Sequence, residues 1–148
     1  MSGDHFDLQR FVDAQDRGGA YEHALAELRQ GRKRGHWIWF VFPQISGLGS
    51  SEMSRHYAIS SLEEASAYLA HQLLGLRLVE CAEALLELPG RDPVAVLGEI
   101  DALKLRSSMS LFAHVDLAAP VFTRVLARYY DGATDEATEQ RLGGTLDS

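Results

Sequence analysis

Gly35-His36-Trp37-Ile38-Trp39-Phe40-Val41-Phe42-Pro43-Gln44 is the stretch on which the reading of the fold turns. It holds both tryptophans of the chain. Aromatic and β-branched residues suit a pleated, half-buried surface better than a helix, so residues 36–42 are expected to be a short extended segment. Pro43 also biases Phe42 away from helical dihedrals. In an extended chain, Trp37, Trp39 and Val41 share one face, and His36, Ile38, Phe40 and Phe42 share the other. Two roles fit this pattern. One is a buried wall whose indole N–H groups find internal partners, which the residue types favour. The other is a stacking wall for a flat ring, with His36 and Gln44 as polar readers and Lys33 or Arg34 meeting an anion.

The chain outward from this segment reads as helix after helix. Leu8, Phe11 and Val12 make one stripe, which Asp4 can cap and Gly18-Gly19 ends. Tyr21, Ala24, Leu25 and Leu28 face one way on a second helix, with Gly31 as its stop signal. Beyond the loop Gly47-Leu48-Gly49-Ser50-Ser51, a short helix spans Met53 to Ile59. Ser60 or Ser61, with Glu63 or Glu64, supplies a capping box for the helix bearing Leu62, Ala65, Tyr68 and Leu69. A longer helix runs from about His71 to Leu88, and Asp92-Pro93 starts another. Ile100, Leu103, Leu105, Met109, Leu111 and Phe112 mark one helix or two, Pro120 opens the next, and Thr134 or Asp135 the last. The Gly143-Gly144 tail is expected to fray. The fold class is mainly α: a single compact domain over residues 1–148, of about seven helices, with the extended segment near 36–42.

Bulk composition excludes several functions. A formal net charge of −7 opposes general nucleic-acid binding or attachment to an anionic membrane, both of which need a basic surface. It leaves room for a small anionic ligand held by local cations. No apolar run approaches the roughly 20 residues of a membrane span, so no membrane contact is expected and the expected address is cytoplasmic. The single cysteine, Cys81, precludes an internal disulfide, and its apolar helical setting beside Glu80 and Glu83 reads as a buried, inert thiol. The histidines, at 5, 23, 36, 56, 71 and 114, include no pair three or four apart, so neither a metal nor another cofactor is expected.

Phosphate loops, dinucleotide glycine fingerprints, zinc pairs and nucleophile elbows are missing from the sequence. Two polar sets stand out instead. In Asp101-Ala102-Leu103-Lys104-Leu105-Arg106-Ser107-Ser108, helical spacing places Asp101, Lys104 and Ser108 near one face. Such residues need partners or a ligand if buried, and form an ordinary surface pair if not. In His71-Gln72-Leu73-Leu74-Gly75-Leu76-Arg77-Leu78, a mid-helix glycine costs about 1 kcal/mol relative to alanine, which suggests close backbone approach. Arg77 there is an ion-pair or phosphate ligand candidate, and His71 reads as a helix cap.

Taken together, Gly31-x-Lys33-x-x-His36-Trp37-x-Trp39-Phe40-x-Phe42-Pro43-Gln44, Gly47-Leu48-Gly49, Tyr57-Ala58-Ile59, Ala67-Tyr68-Leu69-x-His71, Leu74-Gly75-x-Arg77-Leu78, Asp101-x-x-Lys104-Leu105-x-Ser107-Ser108 and Asp131-Gly132 carry a resemblance. The chain resembles an uncharacterised bacterial family, domain of unknown function eighteen-ten, from about Phe6 to Leu142. Ile38 is the one variation, at a position where Met is also usual. Members are often called calpastatin, but that disordered, repetitive inhibitor has nothing in common with a repeat-free compact chain. The resemblance implies a mainly α-helical fold and no settled activity. The order of elements is also similar to the NADAR superfamily, which acts on ADP-ribose-linked and related N-glycosides.

These readings converge on a pocket between the 33–44 segment and the 101–108 helix, for a small nucleotide-like ligand. Lys104, Asp101 and His36 are the candidate catalytic residues, with Glu80 as an alternative carboxylate. Lys33, Trp37, Trp39, Gln44, Arg77, Ser107 and Ser108 are the candidate ligand-binding residues. An N-glycosidase-type hydrolase is one expectation. A non-catalytic domain that meets a protein partner, with the aromatic segment as core, is the other.

Overall fold

The structure is a computed structural model that describes residues 5–115 and 120–143. Among these residues lie ten α-helices, of which seven have seven or more residues. In chain order they are α1 (Gln9–Asp16), α2 (Ala20–Gln30), α3 (Ile38–Val41), α4 (Glu52–His56), α5 (Leu62–Ala70), α6 (Leu74–Glu87), α7 (Pro93–Leu97), α8 (Glu99–Ala113), α9 (Val121–Tyr130) and α10 (Glu136–Leu142). A 3-10 turn at Arg17–Gly19 joins α1 to α2. The caps predicted at Asp4 and the tail from Gly144 onward lie outside the described residues.

Local sequence chemistry sets most helix ends. Ser61 caps α5 by accepting from the Glu64 backbone N–H at 3.1 Å, and Glu64 Oε1 reaches back to the Ser60 N–H at 2.8 Å. The capping box therefore closes one residue further upstream than its usual form. Asp92 caps α7 with Pro93 in the first turn, and Asp135 caps α10. His71 Nδ1 accepts from the N–H groups of Leu73 and Leu74, so it caps the start of α6. At Gly75 an added Cβ would fall 2.1 Å from the Leu69 carbonyl oxygen, the close backbone approach expected there. This contact lets α6 cross the end of α5.

The two longest helices carry the core. α6 packs on α2, α5 and α9, while α8 packs on α5, α7, α9 and α10. Phe11, Tyr68, Leu78, Leu105, Phe112 and Phe122 meet between them in one apolar cluster. Cys81 is fully buried, and burial pushes its thiol up to about 12. Among the described residues, no helix is long and apolar enough to cross a membrane.

The 36–42 segment departs from its expected extended form. It makes a single helical turn, with Val41 N–H donating to the Trp37 carbonyl at 3.1 Å and Phe42 N–H to that of Ile38 at 3.0 Å. The only β-type pairing among the described residues is one parallel bridge between Ile45 and Ile59. A buried segment with no strand to pair with must satisfy its own backbone, and a helical turn does so locally. High β-propensity here marks burial, not a ladder. Trp37, Ile38, Phe40, Val41 and Phe42 all enter the core, so the two-faced alternation gives way to near-total burial. His36 stays exposed and Trp39 is half-buried.

Candidate functional site

α3 and α8 pack against each other, and the polar residues of α8 meet the 33–39 region there. Asp101 and Lys104 lie one turn apart on α8, with Lys104 Nζ 3.5 Å from Asp101 Oδ1. The other carboxylate oxygen, Oδ2, lies 2.7 Å from Lys33 Nζ. The Lys33 side chain is only 7% exposed, against 22% for Lys104. Lys33 also donates to the Gly35 carbonyl and sits over the Trp37 ring. Lys104 Nζ lies 4.7 Å from the Trp39 ring centroid. One carboxylate thus spans two ammonium groups, each resting on a tryptophan face, and the three charged side chains carry one net positive charge.

The two indole N–H groups differ. Trp37 Nε1 donates to Glu27 Oε1 at 2.8 Å, and the same oxygen accepts from the backbone N–H groups of Arg34 and Gly35. Burial alone would raise the Glu27 pKa, but these three donors and the nearby Lys33 ammonium outweigh it and hold the carboxyl below its ordinary value. Trp39 Nε1 is buried and has no hydrogen-bond partner among the described residues.

Two clefts meet at Lys104. The smaller, about 280 Å³, lies between the loop at Gln44–Gly49 and the α8 side chains Ile100, Leu103, Lys104 and Ser107. The more open one, about 500 Å³, is lined by Lys33, His36, Trp39, Asp101 and Lys104. Ile100 and Lys104 line both. A void of about 10 Å³, bounded by Trp39, Gln44, Ser54, Tyr57 and Ala58, adjoins them through shared residues.

Lys33, His36, Trp39, Asp101 and Lys104 are therefore brought together in one cleft, and Gln44 and Ser107 line its neighbour. Ser108 is fully buried and its hydroxyl has no partner among the described residues. Four candidates are placed elsewhere. Trp37 is 3% exposed and lines neither cleft. Arg77 is held by Asp16 at 3.0 Å and Gln15 at 3.1 Å, over the Tyr21 ring, which makes it a structural clasp. Glu80 accepts from Tyr21 and pairs loosely with Arg29 at 3.7 Å. Arg34 is exposed and lines neither cleft.

The apolar rim of the smaller cleft was not anticipated. Ile100 is 70% exposed and Leu103 63%. A signal for it exists in the sequence: Ala102, Leu105, Met109 and Phe112 form one stripe of α8, and Ile100, Leu103 and Ser107 fall on another. Among the described residues, no group of three or more His, Cys, Asp or Glu is placed to hold a metal ion.

No curated protein of known function matches the chain. The solved structure of the conserved hypothetical protein Rv1873 from Mycobacterium tuberculosis is 52% identical, with a TM-score of 0.91 over 96% of this chain and 100% of that one. Residues 5–142 match the model of the family described as Protein of unknown function (DUF1810), and the chain belongs to that family.

Proposed function

We propose that the protein binds a small anionic ligand bearing a flat ring, of the nucleotide or ADP-ribose class, in the groove at Lys104. One observation carries this reading. Lys104 lines both clefts, and its one ion-pair partner among the described residues, Asp101, is already held more closely by Lys33. Its ammonium is therefore available to an incoming anion, at a partly desolvated position where a charged contact is stronger than in bulk water.

Hydrolysis of an N-glycoside fits the same arrangement. Water would add to the anomeric carbon as the carbon–nitrogen bond breaks, with the electron pair leaving on the ring nitrogen. Asp101, between two lysines, would hold the Lys104 ammonium in place beside the ligand's anion. His36, on the open rim, is the available proton carrier.

A thermal-shift titration with NAD, ADP-ribose and AMP tests the binding claim. A ligand at 100 times its Kd adds about 2.7 kcal/mol to stability by mass action. That corresponds to a rise of several degrees in wild type, which Lys104→Ala should abolish. No rise with any of the three ligands overturns the proposal. The exposure of Ile100 and Leu103 side by side on α8 favours a second reading, a non-catalytic interaction domain, which requires that titration to be negative.

A further inference from the structure

The tryptophans are not where a ring would dock. Trp37 is buried, and the accessible Trp39 has Lys104 over its ring. The apolar surface left open lies in the smaller cleft instead. Ile100 and Leu103 project from successive turns of α8 and remain largely in water, facing Leu48 on the loop across the cleft. Gly49 fixes that loop close by: a Cβ there would come 2.6 Å from Ser54 Oγ, so no larger residue lets the loop pack down in this form. Exposed aliphatic side chains around a concavity mark a place for an apolar occupant. At about 280 Å³ the cleft is at the small end of ligand sites, the size of a ring rather than of a dinucleotide.

The polar groups in this cleft are mostly committed. Ser54 Oγ accepts from Ser51, Ser107 Oγ donates to the Leu103 carbonyl, and Asp135 Oδ2 caps α10. The half-buried Gln44 side-chain amide is different, since it makes no hydrogen bond to a described residue. An amide offers a donor beside an acceptor, which matches a ring edge carrying an adjacent acceptor and donor. Resting on the nucleotide-class reading above, we infer that the ligand is an amino-substituted nitrogen heterocycle with a tethered anion. Its ring lies between Leu48 and the Ile100–Leu103 pair, its edge is read by Gln44, and its anion meets Lys104 at the wall shared with the open cleft.

Isothermal calorimetry with three probes tests this: AMP, ribose 5-phosphate, which lacks the ring, and purine riboside 5′-monophosphate, which lacks the amino group. In wild type, AMP should bind at least tenfold more tightly than either of the others. The double variant Ile100→Ala/Leu103→Ala, whose replaced side chains lie outside the core, should erase the gap between AMP and ribose 5-phosphate without weakening the latter. Gln44→Leu should erase the gap between AMP and purine riboside 5′-monophosphate. Equal binding of AMP and ribose 5-phosphate in wild type, or a gap that survives the double variant, overturns the ring site while leaving anion binding at Lys104 intact. Failure of all three probes to bind overturns both.

Discussion

Trp37 and Trp39 stand two residues apart, each with a lysine ammonium on its ring, and the two lysines share Asp101. Their surroundings are nonetheless opposite. Around Trp37 every polar group has a partner: the indole N–H, two backbone N–H groups and Lys33 are all satisfied through Glu27, Gly35 and Asp101. Around Trp39 the indole N–H has no partner among the described residues, Lys104 is only loosely paired, and Gln44 and the aliphatic rim line an open cleft. A buried polar group without a partner costs free energy, and proteins keep such costs where function needs them. On the proposed function, one Trp–Lys pair is scaffold and the other belongs to the site.

Substitutions can break this contrast. The largest effect is expected for Trp37→Ala, which empties a core position and should cost about 3–5 kcal/mol, read from the urea midpoint. The lysines should separate next. Lys33→Ala strips partners from Asp101 and the Gly35 carbonyl and should cost about 1–3 kcal/mol, whereas Lys104→Ala should change stability by no more than about 1 kcal/mol. Equal losses for the two lysines would mean that both pairs are scaffold.

Glu27→Gln probes the Trp37 side by pH. Glu27 has a depressed pKa in the folded protein, so its contribution is fully present above its ordinary carboxyl value of 4.5 and is lost as pH falls through the folded value. Glu27→Gln should therefore be less stable than wild type at pH 7 by about 1 kcal/mol, and the two midpoints should converge toward pH 3. A gap that stays constant with pH would remove the carboxylate from the account. The smallest effect is expected for Trp39→Phe, which deletes the unpartnered N–H and should be nearly neutral, within about 0.5 kcal/mol.

Much of the scaffold was legible in the sequence because it is written in local chemistry. Caps at Ser61, His71, Asp92 and Asp135, the stop at Gly31 and the close approach at Gly75 follow from neighbours a few residues apart. The 36–42 turn was misread because propensity reports burial, while the choice between strand and helix depends on whether a partner strand exists elsewhere in the chain. The pairing of Lys33 with Asp101, the clasp of Arg77 by residues of α1 and the role of Glu27 join residues distant in sequence, and no local pattern announces such contacts. In the sequence Ile100 and Leu103 mark only the apolar positions of a helix. Only packing shows that the second stripe of α8 faces a cleft.

On the proposed function, a ligand binds on the Trp39 side and not on the Trp37 side. Tryptophan fluorescence during an AMP titration tests it most directly, because Trp39→Phe leaves Trp37 as the sole tryptophan. The account predicts a saturable change in emission for wild type and none for Trp39→Phe. No change in wild type, or the same change in both proteins, would contradict it.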